Sequence, residues 1–159
     1  MIVRTARIGD APDVAKIWNF EIRDGISTFT TAEKSAAALE ADFAERGDAF
    51  VVAEEAGEVI GFATYFQFRG GPGYRHTMEY TIHLAPAARG QGVGRQLLAE
   101  LEERARAAEV HVLVGGISGE NASGDAFHRK MGFAEVGRMP EVGCKFGRWM
   151  DLVLMQKVL

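Results

Sequence analysis

Leu84-Ala85-Pro86-Ala87-Ala88-Arg89-Gly90-Gln91-Gly92-Val93-Gly94 runs directly into Arg95-Gln96-Leu97-Leu98-Ala99-Glu100-Leu101, and the reading of this stretch decides the fold. The alternating run from Met78 to Leu84 predicts a strand, and Pro86, which has no N–H to donate, ends it. Gly90, Gly92 and Gly94 stand at every second position, where the backbone is free to turn and to approach a ligand closely. Leu97, Leu98, Leu101 and Ala105 then recur at helical spacing. A glycine loop opening into a helix leaves unpaired amides and the positive end of the helix dipole aimed at one spot. Arg89 and Arg95 add two cations, so the segment reads as a cradle for a diphosphate.

The glycines do not follow the G-x-G-x-x-G spacing of dinucleotide sites, and no G-x-x-x-x-G-K-[ST] loop occurs. Around the cradle lie 159 residues, with 47% hydrophobic and 25% charged, the make-up of one ordinary globular domain. A net charge of −4, without a Lys/Arg block, argues against a nucleic-acid or anionic-membrane partner. No run of roughly 18 apolar residues predicts a membrane span, and Met1 to Asp10 lacks a signal-peptide core. Cys144 is the only cysteine, which excludes an internal disulfide and fits a reducing, cytoplasmic setting. No His, Cys or carboxylate spacing suggests a metal site.

Ile2 to Arg7 reads as a first strand, and Asp10-Ala11-Pro12-Asp13 as the start of a helix capped by Asp10. Val14, Ile17, Trp18 and Ile22 give that helix its buried stripe. Gly25 to Thr30 forms a loop, and Thr30-Thr31-Ala32-Glu33 resembles a capping box opening a second helix with Leu39 and Phe43 inward. Ala49 to Glu55 and Glu58 to Phe68 predict a hairpin turning at Ala56-Gly57. Tyr74 to Ala85 supplies the strand before the cradle, and a helix from Val93 to about Ala108 follows it. Val110 to Ile117 is a strand, Ala122 to Met131 a helix ended by Gly132, and Ala134 to Arg138 and Trp149 to Val158 the last strands. The order β-α-α-β-β-β-α-β-α-β-β predicts an α/β fold: a mixed sheet with helices on both faces.

Arg89-x-x-Gly92-x-Gly94, set between a strand and a helix, resembles the [QR]-x-x-G-x-[GA] acyl-CoA signature of the GNAT-type N-acetyltransferases, and the element order over residues 1–159 is similar to theirs. Tyr74-Arg75-His76-Thr77-Met78-Glu79, Gly119-Glu120-Asn121-Ala122-Ser123, His128-Arg129-Lys130-Met131-Gly132-Phe133 and Val142-Gly143-Cys144-Lys145-Phe146-Gly147-Arg148-Trp149-Met150-Asp151 resemble the phosphinothricin/methionine-sulfoximine acetyltransferase branch. The resemblance implies a single GNAT domain with a splayed central sheet, acetyl-CoA as cosubstrate and no metal. It implies a cradle of Leu84, Ala85, Arg89, Gly90, Gln91, Gly92, Val93, Gly94 and Arg95, with the amides near Leu84 and Ala85 meeting the oxyanion. Asn121 would bond the pantetheine arm, or else cap the helix that follows it.

Acetyl transfer to an amine needs a base, because an amine is mostly ammonium at neutral pH. Alternation puts Met78, Tyr80, Ile82 and Leu84 on one face of the strand and Glu79, Thr81 and His83 on the other. The family places its carboxylate base at the Glu79 position; a solvent-facing acid on a half-exposed sheet is the plain alternative. His83 shares its face and either relays a proton or lines the cleft. His128 stands where many relatives carry a Tyr that protonates the CoA thiolate; an exposed helix histidine is the plain alternative. The branch acts on small amino acids with a second polar end, which asks for cations: Arg75 first, then Lys145 and Arg148, with Phe29 and Trp149 as walls. Cys144 as an acyl nucleophile lacks a nearby histidine in sequence. The branch also implies a homodimer whose C-terminal segment helps to build the site. Gln67 to Gly73 departs from the branch pattern, so other amines remain in view: a protein N-terminus, a polyamine, an aminoglycoside. A non-catalytic acyl-CoA-binding module is the remaining alternative.

Overall fold

Every one of residues 1–159 is described by the computed structural model. The predicted element order is the one observed, with β1 (Ile2–Thr5), α1 (Ala11–Asp24), α2 (Ala36–Arg46), β2 (Phe50–Glu55), β3 (Glu58–Gln67), β4 (Thr77–Leu84), α3 (Val93–Ala107), β5 (Val112–Ser118), α4 (Ala122–Lys130), β6 (Ala134–Lys145) and β7 (Arg148–Val158). The strands form one sheet in the order β1-β2-β3-β4-β5-β7-β6. All neighbours are antiparallel except β4 and β5, which run parallel and are joined through α3.

Each face of the sheet has its own core, because period-2 alternation sends apolar side chains both ways. Val14, Ile17, Trp18 and Ile22 of α1, with Leu39 and Phe43 of α2, pack on Phe50, Val52 and Phe62. Leu97, Leu98, Leu101 and Ala105 of α3 pack on the opposite face against Val51, Ala63, Tyr80 and Leu113. The two stripes predicted from helical spacing are therefore buried, at about 1.5–3 kcal/mol for each large side chain removed from water. Gly61 on β3 is required by close approach: a Cβ there would lie 2.6 Å from a methyl of Leu84 and 3.1 Å from one of Leu97.

Three local expectations are corrected. The capping box at Thr30–Glu33 does not open α2; the helix starts at Ala36, where Ser35 Oγ accepts from Ala38 N at 3.1 Å. Thr30 instead accepts from Ala32 N in a tight turn, and Glu33 pairs with Arg23. Asp10 does not cap α1 with its side chain, because its carboxylate is held by Arg4 at 2.8 and 2.9 Å and by Arg7 N at 2.7 Å. Strand β6 continues past Arg138 to Lys145, through a bulge between Met139 and Gly143 in which Glu141 takes a positive φ. It then turns at Phe146-Gly147, both at positive φ, into β7.

Candidate active site

The sheet opens where the site lies. Strands β4 and β5 pair from Thr77↔Val112 to Tyr80↔Gly115 and then stop. Beyond that point β4 runs on to Leu84 held by β3, and β5 runs on to Ser118 held by β7. The gap between them is a wedge that leaves strand backbone with no strand partner, and an extended amide-bearing chain can pair with such backbone. A cleft of about 900 Å³ fills the wedge, lined by β4 from Glu79 to Leu84, β5 from Gly115 to Ser118, the α1–α2 loop and the first turns of α4.

The cradle stands at the mouth of this wedge. Gly92 precedes α3 in the left-handed conformation, at φ +82° and ψ 2°, and Gly90 has φ +74°. A Cβ at either position would meet no protein atom within 4 Å, so the space before them is open. The first amide of the helix turn to find a backbone acceptor is that of Gln96, which donates to Gly92 O at 3.2 Å; those of Val93, Gly94 and Arg95 have none. Free amides, a dipole end and an open surface fit a diphosphate. Arg95 is exposed beside them, while the Arg89 guanidinium is held by Glu21 of α1, a carboxylate only 4% exposed. Glu21 was not foreseen from the sequence. Gln91 donates from Nε2 to Ala87 O at 2.8 Å and steadies the loop; Leu84 lines the cleft, and Ala85 N donates to Ile60 O at 2.9 Å.

Glu79 lies on the cleft wall, half-buried, and burial alone pushes its carboxyl above the ordinary glutamate value. His83 shares its face and sits against Trp18 and Phe62, at ring distances of 6.1 and 5.7 Å. Burial pushes its pKa down to about 4, Glu21 opposing and Arg89 and Lys145 assisting, so the imidazole is neutral through the physiological range. An unfolded chain therefore takes up this proton first. The stability tied to a neutral His83 is complete above pH 6.5 and is lost as the pH falls from there through about 4. Denaturant unfolding across that window is expected to give a falling free energy, with a shallower slope in His83→Phe; an unchanged slope would contradict this placement.

His128 is not the exposed helix histidine of the plain alternative. It is 7% exposed, with Nδ1 at 2.7 Å from Gly124 O and Nε2 bonded to the Tyr80 hydroxyl. A carbonyl can only accept, so Nδ1 carries the proton; burial lowers the pKa and keeps the ring neutral, and Nε2 accepts from Tyr80. Gly115 leaves room for the pair, since a Cβ there would sit 3.2 Å from His128 Nε2 and from Tyr80. Tyr80 therefore joins His128 at the root of the wedge, a partner that the apolar-face reading of Tyr80 concealed.

None of the three expected substrate cations lines the cleft of the single chain. Arg75 is exposed, outside the cleft lining, and its Nε donates to His76 Nε2 at 3.0 Å. Arg148 is exposed and grips Glu120 at 2.6 and 3.0 Å. Lys145 is buried, and its ammonium donates to the carbonyls of Glu21, Gly25 and Thr28 at 3.1, 2.6 and 2.9 Å. It pins the α1–α2 loop, a structural task for which three backbone oxygens compensate the buried charge. That loop carries Phe29 into the cleft lining, against Gly143, where a Cβ would stand 2.5 Å from the ring. Trp149 is 66% exposed and forms no cleft wall, and Cys144 is an exposed free thiol outside the lining. Asn121 lines the cleft and caps α4, accepting from Gly124 N at 3.0 Å, while its Nδ2 reaches Ser27 at 3.3 Å.

A wedge opened between two parallel strands, with a glycine cradle at its mouth and a desolvated carboxylate on its wall, defines an acyl-CoA-dependent acyltransferase. The model of the acetyltransferase (GNAT) family matches residues 14–133. An L-methionine sulfoximine/L-methionine sulfone acetyltransferase of Pseudomonas aeruginosa is 39% identical over 97% of this chain and 92% of its own length. A crystal structure of ribosomal-protein-alanine N-acetyltransferase from Brucella melitensis superposes with TM-score 0.95 at 40% identity, covering all of both chains. The structure of yncA from Salmonella typhimurium with its cofactor acetyl-CoA superposes with TM-score 0.96 at 34% identity, over 100% of this chain and 94% of that one. The chain belongs to the GNAT family and is an acetyl-CoA-dependent N-acetyltransferase that resembles the phosphinothricin and methionine sulfoximine acetyltransferases. No helix is long and apolar enough to cross a membrane, and no group of His, Cys, Asp or Glu is arranged to hold a metal ion.

Proposed function

We propose that this enzyme acetylates the α-amine of a small amino acid of the methionine sulfoximine and phosphinothricin class, by direct attack of the amine on the thioester. The observation that carries the mechanism is Glu79, a carboxylate with burial-raised pKa and no hydrogen bond from the protein, facing the wedge. Its deprotonated form takes the proton from the acceptor ammonium, directly or through water. The amine nitrogen bonds to the acetyl carbon, unpaired backbone amides of β4 near Leu84 meet the developing oxyanion, and the carbon–sulfur bond breaks. The second proton that the nitrogen sheds as the amide forms goes to the leaving thiolate by way of the Tyr80 hydroxyl, which gives its proton to sulfur, takes the nitrogen's in return and is oriented by His128 Nε2 at the root of the wedge. The cradle from Arg89 to Arg95 holds the diphosphate, and Asn121 flanks the arm.

A homodimer and a cytoplasmic location belong to the same reading. Val136, Met139, Val142, Phe146 and Trp149 of the β6–β7 hairpin are exposed, an apolar surface that a second copy would cover. A second acceptor, a protein N-terminal alanine, is favoured by the named activity of the Brucella melitensis neighbour. Both readings are tested by thiol release from acetyl-CoA with methionine sulfoximine, methionine sulfone, phosphinothricin, an alanine-initiated peptide, a polyamine and an aminoglycoside. Turnover confined to the free amino acids is expected. Turnover on the peptide alone would transfer the assignment to a protein substrate, and CoA binding without turnover on any amine would make the chain a binding module.

A further inference from the structure

An amino-acid acceptor brings a carboxylate into the cleft, and the three cations expected to receive it are engaged elsewhere or lie outside the lining. Of the residues lining the cleft, only Lys34 and Arg89 carry a permanent positive charge. Arg89 is held by Glu21 and belongs to the cradle end. Lys34 has no carboxylate partner; its neighbour Glu33 is taken by Arg23 instead. We infer that Lys34, held over the face of Trp18, is the cation that receives the anionic end of the acceptor, an inference that rests on the amino-acid reading above.

Its position is built rather than incidental. The Lys34 backbone is clamped at both polar groups by one side chain: Asn19 Nδ2 donates to Lys34 O at 2.9 Å, and Lys34 N donates to Asn19 Oδ1 at 2.7 Å. The ammonium lies 4.7 Å from the Trp18 ring centroid, a cation–π contact that holds it without neutralising it. Trp18 is itself fixed, 8% exposed and 4.9 Å from Phe62 between ring centroids. Its other neighbour is His83, on the strand face that carries Glu79. The indole thus separates a free cation from the wall where the amine is deprotonated. An acceptor lying along Trp18 would set its carboxylate on Lys34, with its apolar stem on the ring.

The test compares methionine sulfone with the amine that remains when its carboxylate is removed, in wild type, Lys34→Met and Lys34→Arg. Lys34→Met keeps an apolar chain on Trp18 and removes the charge. Its KM for methionine sulfone is expected to rise by about tenfold to a hundredfold, the worth of a hydrogen bond between charged groups. Its KM for acetyl-CoA and its kcat/KM for the decarboxylated amine should stay at wild-type values, so the preference between the two amines collapses. Lys34→Arg should restore most of it. An equal loss on both amines, or no loss on methionine sulfone, would overturn the Lys34 assignment while wild-type turnover leaves the amino-acid reading intact. Absence of wild-type turnover on any free amino acid would overturn both.

Discussion

Glu79→Gln is expected to lower kcat by about a hundredfold to a thousandfold near pH 7, within the usual range for a positioned base. The substitution is nearly isosteric, and the native carboxylate makes no hydrogen bond to the protein, so fold and cradle should be undisturbed and the KM for acetyl-CoA unchanged. The sign of the pH dependence follows from burial. Glu79 works only when deprotonated, and its pKa is raised, so wild-type kcat/KM should climb with pH along a limb lying above the ordinary carboxylate range. In Glu79→Gln that limb disappears. The deficit should shrink at alkaline pH, where free amine forms without a base. A variant with the wild-type pH–rate profile would remove Glu79 from the mechanism.

Gly92→Val is expected to raise the KM for acetyl-CoA by about tenfold or more, since the bonds at stake are charge-assisted and each is worth roughly 1.5–3 kcal/mol. At φ +82° a β-branched side chain is forced into the left-handed region, and relaxation would turn the amides of the first α3 turn away from their common focus. The strain itself should cost about 1–2 kcal/mol of stability. Gly94→Ala is the contrasting variant. Gly94 lies inside α3, and a Cβ there meets Phe127 at 3.4 Å, an ordinary contact, so a small effect is expected. Equal KM values for acetyl-CoA in wild type and Gly92→Val, measured by thiol release, would mean that the cradle does not grip the diphosphate.

Much of this site was legible in the sequence because its determinants are local. The glycines, the proline that ends β4 and the leucines of α3 lie within one short segment, and strand alternation sets Glu79 and His83 on one face irrespective of the rest of the chain. The surroundings of the cations were not legible, for the opposite reason. Which carbonyls Lys145 meets depends on the end of α1 and the loop after it, 117 to 124 residues away in sequence, and the partner of Arg89 lies 68 residues away. No spacing encodes such approaches. Tyr80 reads as an apolar-face residue until α4 brings His128 to its hydroxyl, and α2 is capped by Ser35 while Glu33 pairs with Arg23 across the surface. Lys34 carried no motif at all; its role emerges only once the cleft is traced and the other cations are accounted for.

The crystal structure of the enzyme with CoA and methionine sulfone bound together tests the central claim most directly. The account predicts the diphosphate on the amides of the cradle from Gly90 to Arg95, the thiol end in the wedge beside Tyr80 and His128, and the acceptor nitrogen facing the Glu79 carboxylate directly or across one water. An acceptor nitrogen lodged on the other face of β4, with Glu79 turned to bulk solvent, would contradict it.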